Sequence, residues 1–448
     1  MADLDHNTGS CAEKLNHERA VGTKLSTNVN DMLHPGIMIC GTLALFAVVQ
    51  AIFALAFVRL FAARQPVELN DDAFPKAAVL VPLRGADPKL RETLVGLLRQ
   101  DYPAFEIHVV VDNPDDPAWQ IASEVARQYQ ATNMRLGWIE HRRESCGLQC
   151  SALVEAMEHV SDDCQIIVGI DGDVLTHSTW LRELVAPFRD ARIGVTHGNR
   201  WFMPEKKNWG GLVRYLWNAA ALPPMHFFGI PWGGTFAIRA SALRDSGLLD
   251  NWSRAIVHDA PAKKAIRKLH LKVHFVPSLM MTIRENCDLA FAHDFIKRQM
   301  MWTRIYHPNW GPVFLHALAT SGLLIAAILV VVFGIATRDA TMIAWAGGGL
   351  AGYLGCLLIL LAVMEAGVRR SIARRGEPTR WLTWGAILRL PAAILLTTFV
   401  YLSAVLLANF RQRVTWRGVT YHVRGPFDVV MERDVRMTHS NPDADVSL

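Results

Sequence analysis

Ile166-Ile167-Val168-Gly169-Ile170-Asp171-Gly172-Asp173 is an apolar run that ends in two carboxylates with one glycine between them. A continuous apolar run of this length reads as a buried parallel strand, and the carboxyl edge of such a sheet is where α/β folds hold their ligands. Two acids one residue apart at that edge can reach a single divalent cation, directly or through water, and the cation can neutralise a diphosphate. Taken alone, an Asp-Gly-Asp is more often a loop of solvated acids after a strand. The flanking sequence decides between the two.

Upstream, strands and helices alternate. Ala77-Ala78-Val79-Leu80-Val81 is a short apolar strand that Pro82 is expected to stop, and Leu90, Leu94, Leu97 and Leu98 then recur at helical spacing. A second strand, Ile107 to Val111, runs into Asp112 and the acidic turn through Asp115 and Asp116, with a helix expected from Trp119 to about Tyr129. A short strand near Met134 to Ile139 and a helix from about Leu148 to His159 lead to the strand that carries Asp171 and Asp173. This order predicts an α/β fold with a mostly parallel, doubly wound, Rossmann-like sheet.

The rest of the chain is too apolar for a wholly soluble protein. Of its 448 residues 51% are hydrophobic, and the excess is concentrated. Gly36 to Phe57, Val313 to Thr337, Met342 to Ala366 and Leu390 to Phe410 are each long and uncharged enough to cross a bilayer. The first follows a polar stretch, has too long an apolar core for a secretory signal and lacks a small-residue cleavage site, so it reads as an uncleaved anchor. The net charge of +5 is modest, and the basic residues are not interleaved with aromatics as a nucleic-acid groove would need. The seven cysteines show no paired metal spacing, and Cys146 and Cys150 read as two small residues on one helix. Residues 1–35 are expected to be a disordered N-terminal segment, 36–62 a transmembrane anchor, 63–312 a cytoplasmic catalytic domain, 313–410 transmembrane helices and 411–448 a basic tail.

Several stretches, in order, carry a family resemblance. Pro82-Leu83-Arg84-Gly85-Ala86-Asp87-Pro88, Gln100-Asp101-Tyr102-Pro103, Asp115-Asp116-Pro117-Ala118, the Asp171 motif, Gly233 to Arg239, His258-Asp259, Arg298-Gln299-Met300-Met301-Trp302 and Trp416 to Tyr421 together resemble ceramide glucosyltransferase and its bacterial relatives. These are inverting nucleotide-sugar glycosyltransferases with the single-sheet fold known as GT-A. The resemblance covers most of residues 36–424. It implies a nucleotide-sugar donor, UDP-linked, a membrane lipid acceptor such as a ceramide-like lipid, and Mg²⁺ or Mn²⁺ as cofactor.

Residue by residue, the resemblance implies that Asp112, with Asp115 or Asp116 sharing the role, accepts hydrogen bonds from the base or ribose of the donor. Pro82 and Arg84 belong to the same donor end. Asp171 and Asp173 would hold the metal against the diphosphate, and Asp259 would be the general base that takes the acceptor proton. An N-cap aspartate is the plainer reading of Asp259. The chain departs from the family at three points: His258 stands where an acid is usual, Gln149 where relatives carry Lys, and Met301 where the last motif has Arg. Arg298 and Trp302 match that motif, and Arg298 or Arg304 is expected to replace the missing cation on the same helix.

Activated sugars are made in the cytoplasm, so the catalytic domain is expected to face it in a multi-pass protein of a cell inner membrane. Arg369, Arg370, Arg374, Arg375 and Arg380 after the third span fit that side. Arg389 and Pro391 interrupt the start of the fourth apolar segment, whose full crossing would place Arg411, Arg413, Arg417 and Arg424 outside, against the positive-inside tendency. Leu212 to Trp217 and Pro223 to Phe228 are expected beside the bilayer, where a lipid acceptor could enter. The two competing readings are a catalytically silent membrane scaffold, motivated by Met301 and Gln149, and a polysaccharide synthase, which usually needs more spans.

Overall fold

The computed structural model describes residues 34–62 and 70–435; residues 1–33, within the segment expected to be disordered, lie outside the described residues, as does the end of the basic tail from 436. Seven strands form one sheet: β1 (Ala77–Leu83), β2 (Phe105–Val111), β3 (Met134–Trp138), β4 (Ile166–Ile170), β5 (Ile193–Phe202), β6 (Thr235–Arg239) and β7 (Lys272–Ile283). Their spatial order is β3-β2-β1-β4-β6-β5-β7. Strands β1 to β4 pair in parallel, β6 runs antiparallel to β4 and β5, and β5 pairs in parallel with β7. The expected mostly parallel α/β sheet is thus present, with one reversed strand that the sequence pattern did not show.

The strands read as apolar runs because helices cover both faces of the sheet. Leu90, Leu94 and Leu97 of the Leu90–Leu98 helix join Val79, Val81, Ile107, Val109, Ile166 and Val168 in one buried cluster. The expected stop at Pro82 does not occur, and β1 continues to Leu83. Pairing of β1 with β4 ends at Leu80, whereas pairing with β2 continues through Pro82 and Leu83. Proline is tolerated there because no ladder bond on the β4 side needs its missing N–H.

The β5–β7 ladder is broken between His197 and Asn199, where the register jumps from Phe275 to Met280. Gly198 lies at the break, and a Cβ on it would stand 2.3 Å from the Leu279 carbonyl oxygen. Only glycine permits that approach. After the break, alternation sends Arg200 and Phe202 into a cavity, while Trp201 points away from it.

Among the described residues four helices are long and apolar enough to cross a membrane: Pro35–Arg59, Trp310–Thr337, Ala340–Ala373 and Trp384–Phe410. The chain divides into two compact units. The described part of one, up to Ile52 and from Leu318 to Leu360, packs helices on small residues: a Cβ on Gly349 would lie 2.9 Å from the Cys40 Cα. The other unit, Phe53–Ala317 and Leu361–Leu448, holds the sheet and the ends of the apolar helices. There the Trp384–Phe410 helix runs uninterrupted through Pro391 and packs along its length against the Trp209–Phe227 and Leu289–Tyr306 helices of the same unit. Arg389 lies 5.9 Å from the ring of Trp209, and Arg304 donates to the carbonyls of Asn409 and Arg411 at 2.7 and 2.8 Å.

The segment expected as a basic tail carries structure of its own. Arg413–Trp416 (β8), Val419–Gly425 (β9) and Asp428–Asp434 (β10) form an antiparallel sheet in the order β10-β9-β8. The β8–β9 turn is Arg417-Gly418, both at positive φ, 46° and 76°. That is the pattern of a two-residue hairpin turn of the type that matches strand twist, with glycine at its second position.

Glu365 joins an apolar helix to the sheet. Its carboxylate accepts from the indole N–H of Trp201 at 3.0 Å, the Tyr215 hydroxyl at 2.7 Å, the indole N–H of Trp381 at 2.8 Å and Arg369 at 2.7 Å. Glu365→Ala leaves these buried donors without an acceptor, a cost of roughly 3–5 kcal/mol. Thermal unfolding of the purified protein in detergent should show a clear drop for Glu365→Ala and a smaller one for Glu365→Gln, which keeps an acceptor oxygen. Equal melting of Ala variant and wild type would contradict the bridge.

Candidate active site

A cavity of about 310 Å³ opens at the carboxyl ends of β1 and β4 and is lined by Pro82, Arg84, Asp171, Asp173, Asp259, Arg298 and Trp302 among others. Seven of the ten site residues expected from sequence therefore share one space. Asp112, Asp115 and Arg304 do not line it.

Asp171 and Asp173 follow directly on β4, whose buried run carries them to the sheet edge. The Asp171 pKa is pushed up to about 6 by burial and the Asp259 charge, and that of Asp173 to about 7 by burial, Asp171 and Asp87. Gln149, which stands where relatives carry Lys, donates to Asp171 Oδ1 at 2.8 Å and so brings a dipole rather than a charge to that carboxylate. Small residues keep the space clear: a Cβ on Gly172 would stand 3.4 Å from Asp87 Oδ2, and one on Gly234 2.8 Å from Asp171 Oδ2. Half-buried acids at one sheet edge that raise one another's pKa are a donor set suited to a hard divalent cation. Among the described residues, three ligand atoms already gathered within reach of one ion occur only at Glu140, His141 and Glu155, away from this cavity. Asp171 and Asp173 would thus supply two protein ligands, leaving the remaining positions to water and substrate oxygens.

Asp259 sits opposite, and its carboxylate is held in place by two backbone donors, Gly233 N to Oδ2 and Ala260 N to Oδ1, each at 2.7 Å. It is not the N-cap of the next helix, Ala262–Arg267, whose cap is Pro261. His258 is buried with its ring edge-on to Phe236 and Trp252, and burial lowers its pKa, so it stands neutral beside Asp259.

The Leu289–Tyr306 helix forms one wall. Phe295, Arg298, Gln299, Trp302 and Tyr306 line the cavity at helical spacing. Met301 falls off that face and is fully buried, so the motif's missing arginine leaves no gap in the cavity wall. Arg304 faces the opposite way, spent on the last carbonyls of the Trp384–Phe410 helix. The expectation that it replaces the missing cation is corrected by that placement.

The C-terminal sheet closes the end of the cavity at Arg84 and Asp87. Arg417 Nη2 pairs with Asp87 Oδ1 at 2.6 Å, and Arg84 Nε donates to the Arg417 carbonyl at 2.8 Å. Arg84 also pairs with Asp112, and through Nη2 with Asp434 at 2.9 Å, while Arg142 bridges Asp112 and Asp434. Asp112 is 1% exposed behind these arginines. Asp115 is exposed, and Asp116 caps the Pro117–Gln128 helix and accepts from Gly85 N at 2.9 Å.

Glycosyl transferase family 21 matches residues 39–426. The chain belongs to that family. It is 31% identical over 67 residues to a ceramide glucosyltransferase of Pyricularia oryzae and 34% over 58 residues to one of Komagataella phaffii. Those stretches span 14% and 13% of this chain and 14% and 11% of the two relatives. Among solved structures it is similar to the mannosyltransferase PcManGT from Pyrobaculum calidifontis, in complex with GDP-Man and Mn²⁺, at 17% identity and a TM-score of 0.45, over 83% of this chain and 98% of that one. Glucosyl-3-phosphoglycerate synthase from Mycobacterium tuberculosis, in complex with Mn²⁺, uridine-diphosphate and phosphoglyceric acid, aligns at 17% identity and a TM-score of 0.35, over 52% of this chain and 80% of that one.

Sequence reasoning missed Asp87, Arg200, Arg214, Glu285 and Arg417, all of which line the cavity of this family member. Burial and the Asp173 charge push the Glu285 pKa up to about 7, and Arg214 Nη2 donates to the Glu285 carbonyl at 2.8 Å. Asp87 and Arg417 lie in the stretches that carry the family resemblance, and Arg417 had a further signal, since Val414, Trp416, Val419, Tyr421 and Val423 alternate around an Arg-Gly turn.

Without a cation the raised Asp171 and Asp173 values favour the protonated folded state, a contribution lost as pH rises through about 6 to 7. Metal binding has the opposite sign, because it needs both carboxylates ionised. Mn²⁺ affinity of the donor-free protein should rise roughly tenfold or more from about pH 6 to about pH 8; an affinity that is flat across this range, read by electron spin resonance of free Mn²⁺, would contradict the site. Met301→Arg should lower the melting temperature rather than restore a family contact, since it buries a charge in apolar packing. A variant as stable as wild type would show that the helix can turn that position to the cavity.

Proposed function

We propose that this protein transfers a sugar from a nucleotide-sugar donor, UDP-linked, to the hydroxyl of a ceramide-like membrane lipid, with inversion at the anomeric carbon. One observation carries the reading: a single cavity joins the Asp171 and Asp173 edge, the Asp259 carboxylate and an apolar wall of Trp217, Met225, Phe295 and Trp302. That wall comes from two helices, Trp209–Phe227 and Leu289–Tyr306, which pack beside the apolar Trp384–Phe410 helix. A lipid headgroup entering from the bilayer would reach Asp259 along it.

The two backbone donors to Asp259 fix the plane of its carboxylate and leave lone pairs for the acceptor hydroxyl. As the hydroxyl oxygen attacks the anomeric carbon, its proton passes to Asp259 and the bond to the diphosphate breaks on the opposite face. Mg²⁺ or Mn²⁺ held by Asp171 and Asp173 would neutralise charge on the departing diphosphate. Asp112 meets the donor base only if Arg84 and Arg142, which also pair with Asp434 of the C-terminal sheet, release it, so that sheet would open as the donor enters. These acids, all present, favour an enzyme over a silent scaffold.

The sheet-bearing unit is taken to face the cytoplasm. The Trp384–Phe410 helix, packed along its length into that unit, would lie along the interface rather than cross. Arg411, Arg413, Arg417 and Arg424 then stay on the cytoplasmic side, in keeping with the positive-inside tendency.

The test is incubation of the protein in nanodiscs with a panel of nucleotide sugars and membrane lipids, with new glycolipids sought by mass spectrometry. Asp259→Asn should retain nucleotide-sugar affinity while single-turnover transfer falls by ~10²-fold or more. Asp173→Asn should lose both metal affinity and transfer. Loss of donor binding together with thermal stability in Asp259→Asn would mark it as structural.

A further inference from the structure

Arg200 enters the cavity from β5 just beyond the ladder break at Gly198. Its backbone is pinned, with Asn218 Nδ2 donating to its carbonyl at 2.9 Å and its own N–H donating to Asn199 Oδ1 at 2.8 Å. Its guanidinium is caged by rings, with Phe295, Phe202 and Trp232 at 4.8, 5.6 and 5.8 Å from its central carbon. Those faces steady the charge but accept none of its N–H bonds. Among the described residues Arg200 makes no side-chain hydrogen bond or ion pair, and its Nε is buried without a partner.

Four neighbouring cations are already committed. Arg417 is paired with Asp87, Arg84 with Asp112 and Asp434, Arg214 with Glu285, and Lys263 with the Phe228 carbonyl. Arg200 instead stands within the fields of Asp171, Asp259 and Asp173, at the junction of the expected metal pair and the expected base. An unpaired guanidinium in a partly dry cavity is costly unless an anion comes to it.

We propose that Arg200 binds the diphosphate of the donor and stabilises it as leaving group, supplying from the sheet the charge that Met301 does not supply from the helix. This rests on the nucleotide-sugar reading of the cavity. When the glycosidic bond breaks, its electron pair remains on the diphosphate oxygen, the acceptor oxygen forms the new bond to carbon, and the acceptor proton resides on Asp259. The planar fork of Arg200 offers parallel N–H donors to the oxygens that gain this charge, and such charge-assisted pairs are about twice as strong as neutral ones. The plainer alternative is that Arg200 only offsets the three aspartates.

The experiment titrates full-length wild type, Arg200→Gln and Arg200→Lys in detergent with UDP, GDP and UMP at saturating Mn²⁺, alongside Mn²⁺ titrations without nucleotide. If Arg200 holds the diphosphate, Arg200→Gln weakens UDP roughly tenfold or more and leaves UMP within about twofold, with Arg200→Lys in between. If it only offsets the aspartates, Arg200→Gln tightens Mn²⁺ and leaves UDP as in wild type, which overturns the proposal. Equal losses for UDP and UMP overturn it as well, since they report a disturbed pocket. Should the Gln variant not fold, Arg200→Lys carries the same comparison, because it keeps the charge and loses the fork. A wild-type protein that binds neither UDP nor GDP overturns the nucleotide-sugar reading and this assignment together, an outcome distinct from wild-type binding that Arg200→Gln leaves intact.

Discussion

Asp87, Asp171 and Asp173 crowd the edge where β1 and β4 end, and their mutual repulsion at a largely enclosed cavity wall is what the surrounding structure answers. Buried like charges raise one another's pKa and cost stability unless cations or dipoles reach them. Three separate segments do so. Gln149 donates to Asp171 from the Leu148–Met157 helix, Arg417 pairs with Asp87 from the C-terminal hairpin, and Arg200 faces the group from β5. The acids thus gather cations from opposite ends of the chain around one cavity.

The hairpin that brings Arg417 shows the cost of this arrangement. Arg417 adopts φ of 46°, a region unfavourable for a side chain with a Cβ by roughly 1–2 kcal/mol, and the tight two-residue turn imposes it. The same turn lets Arg84 and Arg417 clasp each other through backbone carbonyls, and Tyr421 on β9 accepts from Leu148 N at 2.9 Å. What the composition shows as a basic tail is a small sheet whose turn brings Arg417 to the cavity wall.

The departures from the family pattern find physical reasons in packing. Met301 replaces arginine on a helix face that is sealed into the core, where apolar volume is favourable and charge is not. His258 replaces an acid at a buried position enclosed by Phe236 and Trp252, where a neutral ring packs and a second carboxylate beside Asp259 would need its own counter-charge.

The roles of Asp171, Asp173 and Asp259 were implied by the family resemblance, whereas the strand runs, the sheet-edge position of Asp171 and the apolar helices were legible in the residues because each is local. Period, length and adjacent chemistry suffice for them. The cavity's cations were not. Arg200 reads as one charge in a strand until the break at Gly198 sets which way it points, and Arg417 reads as one of many tail arginines until a hairpin carries it to Asp87. Arg304 and Met301 sit three residues apart in a plausible motif, and only the packing of their helix shows that neither faces the cavity. Sequence by itself determined which chemical groups the protein owns and which segments are buried. Tertiary structure decided which of those groups meet, because charges far apart along the chain come within a few ångströms only when strand register and helix rotation place them there.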